Sequence, residues 1–143
     1  MDFTPPDALR GAQWYLDVQR YVAARLAPDA VTAAAAILAE QDRPFHALIV
    51  DKDEVTLIAP LDLLEVASQR FASITRSGIV YRLITLDVEL PPEAVGILAT
   101  LCRALAQSGI PILALSAFSR DHLFVPEDRA EEALSVLRAI TAE

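Results

Sequence analysis

The side chains able to do chemistry are few, and they gather late in the chain. His46 and His122 are the only histidines, Cys102 the only cysteine and Lys52 the only lysine. One cysteine forms no intrachain disulfide and no CxxC metal site, and two histidines leave few ligands for zinc, so no metal and no cofactor is expected. A short polar stretch, Ser119-Arg120-Asp121, reads as a hairpin turn leading into a strand at His122. Asp121 and His122 are the nearest approach to an acid–base pair. Neighbours on a strand point to opposite faces, however, and do not converge on one substrate without a bulge. The chain is therefore expected to be non-enzymatic. Asp121 either hydrogen-bonds its own turn, as aspartates in turns do, or faces an ammonium group or a cationic side chain through a charge-assisted bond. Arg120 can grip a carboxylate with two parallel bonds, Ser116 can donate or accept, and Phe118 can wall a pocket. Gly96, near a helix start, permits either close helix packing or close approach of a ligand to free N–H groups that favour a carboxylate. His122 reads otherwise as a sheet residue, Cys102 as a small core hydrophobe and the Asp51–Glu54 run as a solvated hairpin tip.

Composition excludes several function classes. The chain has 143 residues, 54% hydrophobic and 22% charged, with a net charge of −8. Its mean hydropathy is +0.36 and its isoelectric point about 4.7. This is enough apolar material for a packed interior and suits one domain, or two very small ones. So acidic a surface repels phosphate backbones and anionic lipid, so neither nucleic acid nor membrane is an expected partner. No apolar run approaches the roughly 18 residues of a membrane span, and the acidic, proline-rich Met1–Pro6 differs from a secretory signal; a soluble cytoplasmic protein is expected. Alanine occurs 25 times and glycine 4 times, which favours helices and short loops over a glycine-rich phosphate cradle.

The elements that must position these residues follow from periodicity. Ile97, Leu98, Leu101 and Leu105 form one face of a helix from about Glu93 to Gln107, opened by Pro91-Pro92 and closed by Gly109. Ile84, Leu86, Val88 and Leu90 alternate with polar residues as a half-buried strand, and Ile110–Leu115 and His122–Val125 read as two more. Pro126-Glu127-Asp128 starts a last helix. The first half repeats this β-α-β-β-α order. Pro28-Asp29-Ala30-Val31 matches Pro92-Glu93-Ala94-Val95, Pro44-Phe45 matches Pro111-Ile112, and Lys52-Asp53 matches Arg120-Asp121. The repeat predicts a helix over Asp29–Gln41, a hairpin of Phe45–Val50 with Val55–Pro60, and a helix over Leu61–Arg70. Residues 14–26 also fit a helical stripe, but the repeat argues for a strand at Tyr21–Leu26. Two modules, 1–78 and 79–143, each carrying a net charge of −4, are expected. The second ends after its second helix, so its fourth strand must come from Ser73–Val80 or from the N-terminal segment.

The stretches Tyr81–Leu86, Val95–Ala99, Leu105–Ile110 and Leu115–Val125 resemble an ACT domain, closest to the CASTOR-like subgroup of small bacterial proteins and animal cytosolic arginine sensors. Phe45–Ile58 is similar to that subgroup's first hairpin. The resemblance implies an α+β fold of two ferredoxin-like (βαββαβ) ACT modules in tandem, with antiparallel sheets and helices on one face. It implies a homodimer joined through ACT faces, and a regulatory sensor whose small-molecule ligand, usually an amino acid, sits at a module interface. The family's motif is a glycine at the first strand-to-helix junction and a Ser-Thr-Phe/Tyr-x-x-Asp stretch. Carried over, Gly96, Ile97, Ser116, Ala117, Phe118 and Asp121 become the ligand-binding residues, with Ala117 in place of the threonine. Arg120 stands where the pattern is often uncharged, and Pro111 where related sensors often carry serine. These departures motivate an alternative, an assembly or protein-interaction module without a small ligand. Thr32 is matched to Gly96, so the first module is expected to bind less well.

Overall fold

The structure, a computed structural model, describes residues 7–41 and 45–142. Met1–Pro6 and Pro44, half of one repeat match, lie outside the described residues. Among the described residues the elements are β1 (Gln13–Leu16), β2 (Tyr21–Leu26), α1 (Val31–Ala39), β3 (Ala47–Val50), β4 (Val55–Pro60), α2 (Leu61–Ala67), β5 (Ile74–Arg76), β6 (Tyr81–Asp87), α3 (Ile97–Gln107), β7 (Leu113–Ser116), β8 (Asp121–Pro126) and α4 (Ala130–Thr141). They divide into two units, Gln19–Val80 and Met1–Val18 with Tyr81–Glu143. The fold is α+β, of tandem ferredoxin-like modules, as the sequence implied.

In Gln19–Val80 the order β2-α1-β3-β4-α2-β5 builds an antiparallel sheet in the spatial order β5-β2-β4-β3. Alternate strand residues Val22, Ala24, Leu26, Val55, Leu57 and Ala59 point to one face, where they meet Ala34 of α1 and Leu64 of α2 in a common core. The hairpin tip is self-contained. The Asp51 carboxylate accepts from the backbone N–H of Asp53 at 2.8 Å and of Glu54 at 2.9 Å, the Asx turn expected of a solvated tip.

The other unit repeats the pattern with one change of supply. Among the described residues no strand after α4 pairs with β6, and β1 pairs antiparallel with it, giving the order β1-β6-β8-β7. Of the two sources expected for the missing strand, the N-terminal segment is the one used. Ser73–Val80 contributes β5 to its own module by pairing with β2. The division expected between residues 78 and 79 therefore departs from the structure at the N-terminus, where residues up to Val18 group with Tyr81–Glu143. The reason is burial: Leu9 is fully buried with Leu86, Leu101 and Leu137, and Trp14 and Leu16 pack against the same core.

Several boundaries also differ; the helices expected over Asp29–Gln41 and Leu61–Arg70 are the shorter α1 and α2, and the strand expected from Phe45 starts at Ala47. The helix expected from Glu93 begins at Ile97, because Gly96 has φ 84°, a left-handed conformation no helix accommodates. The strand expected over Ile84–Leu90 is Tyr81–Asp87, and that expected over Ile110–Leu115 is Leu113–Ser116, with Pro111 before it. Residues 14–26 hold two strands rather than a helical stripe.

Candidate functional site

β4 and β8 both end in proline, at Pro60 and Pro126, paired with Tyr21 and Tyr81. Counting back along each strand, Val55 stands where Asp121 stands, and the register partner Val50 where Ser116 stands. The expected match of Lys52-Asp53 to Arg120-Asp121 is thus displaced: Glu54-Val55 occupies that place. At the helix starts, Ala30 with φ −85° precedes α1 and Gly96 precedes α3, so Ala30, not Thr32, is the counterpart of Gly96. The connection before α3, Val88–Gly96, is also longer than the Ala27–Ala30 connection before α1.

These differences converge on one cleft of about 260 Å³ in the second unit. Gly96, Ile97, Ser116, Ala117, Phe118 and Asp121, the six expected site residues, all line it. The longer connection supplies a wall of Leu90, Pro91, Pro92 and Ala94, which the sequence reading missed. Its only sequence signal was the uneven spacing between the two repeats. The Leu90 N–H donates to the Ser119 carbonyl at 2.7 Å and ties this wall to the β7–β8 turn.

The electrostatics of the cleft have two poles. The start of α3 is uncapped by any side chain, and the first N–H groups of a helix have no intrahelical partner and carry the positive end of its dipole. The Thr100 hydroxyl donates to the Gly96 carbonyl at 2.7 Å and steadies that start. The negative pole is Asp121, only 7% exposed. Its Oδ1 accepts from the Ser116 hydroxyl at 2.7 Å, and its Oδ2 accepts no hydrogen bond among the described residues. Both hairpin turns are closed by the same backbone bond, the Asp51 N–H on the Glu54 carbonyl at 3.1 Å and the Ala117 N–H on the Arg120 carbonyl at 2.9 Å; Asp51 adds an Asx turn at the first position, where the second hairpin has Ala117. Arg120 lies at the rim, 3.5 Å from the Asp87 carboxylate. Phe118 is 94% exposed and does not close the mouth.

His122 faces away from this cleft. Its Nδ1 lies 2.8 Å from the Thr85 hydroxyl, on the side of the sheet opposite Asp121, so the two do not form an acid–base pair. Burial pushes the Cys102 thiol up, aided by the Asp121 charge, which disfavours the nucleophilic thiolate. Burial also pushes the His122 imidazole below its ordinary value; Asp121 opposes this shift and Arg120 adds to it. As pH falls through about 6.5, the unfolded chain therefore takes up a proton before the folded one. The stability this group contributes is present above that pH and is lost below it. The urea midpoint should fall between about pH 7.5 and 5.5, and His122→Gln should reduce that slope; an unchanged slope would mean His122 titrates alike in both states.

Among the described residues no helix is long and apolar enough to cross a membrane, and no three of His, Cys, Asp and Glu gather as a metal site requires.

Comparison with known proteins places this geometry. No curated protein sequence matches significantly. Residues 77–139 match the ACT domain family. A Vibrio cholerae protein of unknown function, described as a possible transport protein, is 25% identical with a TM-score of 0.73, over 91% of this chain and 89% of that one. The aspartokinase alpha and beta subunits are 21% identical with a TM-score of 0.68, over 89% of this chain and 95% of theirs. The ligand-free regulatory subunit of aspartate kinase from Thermus thermophilus is 15% identical with a TM-score of 0.65, over 92% and 99%. These likenesses are of fold, and the match to the ACT domain family is confined to residues 77–139.

Proposed function

We propose that this protein is a non-enzymatic regulatory sensor, akin to the CASTOR-like ACT proteins, that binds an amino acid in the cleft between Gly96 and Ser116–Asp121 and acts as a homodimer. The observation that carries the reading is Asp121, a buried carboxylate with one oxygen held by Ser116 and the other unmatched. Asp121 lines the cleft, where an ammonium group would give that oxygen a charge-assisted partner. The uncapped α3 start in the same cleft suits a carboxylate. A zwitterion answers both poles. The regulatory role draws support from the ACT domain match and from the regulatory subunit of similar fold. Phe118 at the rim and Val95, 86% exposed beside Gly96, are apolar surface that a second copy of the chain would cover. A ligand that fits one arrangement of the copies better shifts the population toward it.

The test is thermal unfolding against each common amino acid, followed by calorimetry. A ligand at one hundred times its Kd should stabilise the protein by about 2.7 kcal/mol, a rise of several degrees in Tm. The same exposed Phe118 and Val95 favour a second reading, an assembly module without a small ligand. A stable dimer whose Tm no amino acid moves would select it.

A further inference from the structure

The cleft also carries information on which side chain its occupant has. Resting on the reading above, we infer that the site takes an α-amino acid with an uncharged, apolar side chain, and that Arg120 is the specificity-determining residue that rejects lysine and arginine. Among the described residues, two charged side chains line the cleft, Asp121 and Arg120. Asp121 is committed to the α-ammonium group, so a cationic side chain finds no second carboxylate in the lining. Burying a charge without a partner is unfavourable, and the Arg120 guanidinium at the rim adds repulsion. An acidic side chain fares little better. Arg120 already faces Asp87 at 3.5 Å, so a second anion there competes with that carboxylate and is repelled by it. Leu90, Pro91, Pro92, Ala94 and Leu98 offer apolar contact, and the Ser119 hydroxyl, beside the β7–β8 turn, is already engaged by Arg120, which donates to it at 3.4 Å. Selectivity of this kind arises from a repulsive group as much as from an attractive one.

Titration calorimetry with leucine, methionine, threonine, glutamate, lysine and arginine, on the wild type and on Arg120→Gln, decides the matter. Leucine or methionine should bind the wild type at least tenfold tighter than lysine or arginine. Arg120→Gln should narrow that ratio at least threefold by improving the cationic ligands. Tighter binding of threonine, glutamate, lysine or arginine than of the apolar pair overturns the inference and leaves the sensor reading intact. So does a ratio that Arg120→Gln does not change. Binding of no amino acid by either protein overturns both.

Discussion

Asp121→Asn is expected to weaken amino-acid binding by about 30- to 1000-fold, which corresponds to about 2–4 kcal/mol for removing one partner of a buried charged pair. The ligand-free variant should unfold near the wild-type midpoint. The asparagine amide keeps an oxygen for the Ser116 hydroxyl, the one bond the carboxylate makes among the described residues. Lost affinity with undiminished stability separates a binding role from a structural one. A variant that binds as the wild type does would move the ammonium site elsewhere, and a large fall in Tm would make Asp121 a structural residue of the turn. Both quantities come from one set of melts with and without ligand.

Removing residues 1–18 should abolish cooperative unfolding of the Tyr81–Glu143 unit. β1 covers β6 from Gln13 opposite Asp87 to Leu16 opposite Ile84. Around it, the Gly11 N–H donates to the Thr141 carbonyl at 2.7 Å, the Trp14 indole N–H to the Thr141 hydroxyl at 3.0 Å, and the Asp17 N–H to the Leu83 carbonyl at 2.9 Å. Arg82 returns two bonds to the Asp17 carbonyl. Leu9 belongs to the core, with Trp14 and Leu16 partly buried against it, and a large apolar side chain contributes about 1.5–3 kcal/mol when fully buried and less when partly so. Set against the 5–15 kcal/mol of a typical domain, at about this order of magnitude, their loss removes most of the unit's stability. Hydrogen exchange should show β6, β8 and α4 exchanging freely in the truncated chain, while β2 and β4 keep their protection. Joining residues 7–18 after residue 143 through a flexible linker should restore the slow exchange. Equal protection with and without residues 1–18 would show that β1 is dispensable.

Much of the site was legible because its residues are close in sequence. Ser116 and Asp121 flank one short turn, so the hairpin alone brings them into register, and Gly96 marked a helix start on conformational grounds. The cleft wall was not legible. Leu90, Pro91 and Pro92 read as the end of a strand, because alternation of apolar and polar residues continues past Asp87 although the ladder stops there. Repeat matching placed Lys52-Asp53 opposite Arg120-Asp121 by likeness of charge, whereas the strand registers set Glu54-Val55 there. Side-chain type is a poor guide to position when a module has replaced a polar pair with Val50 and Val55.

What the amino-acid sequence determined by itself is the repeated order of strands and helices, since the periods of 2 and 3.6 are local properties of the chain and survive without any knowledge of contacts. It also determined the acidic balance and the poverty in metal-binding side chains. Only the tertiary structure decided which strand completes the second module, because pairing between Gln13–Leu16 and Ile84–Asp87 joins segments far apart in the chain. The same holds for Asp121. Whether an aspartate in a turn serves its own backbone or lines a cleft depends on what packs around it, and residues of the longer Val88–Gly96 connection line the same cleft as Asp121.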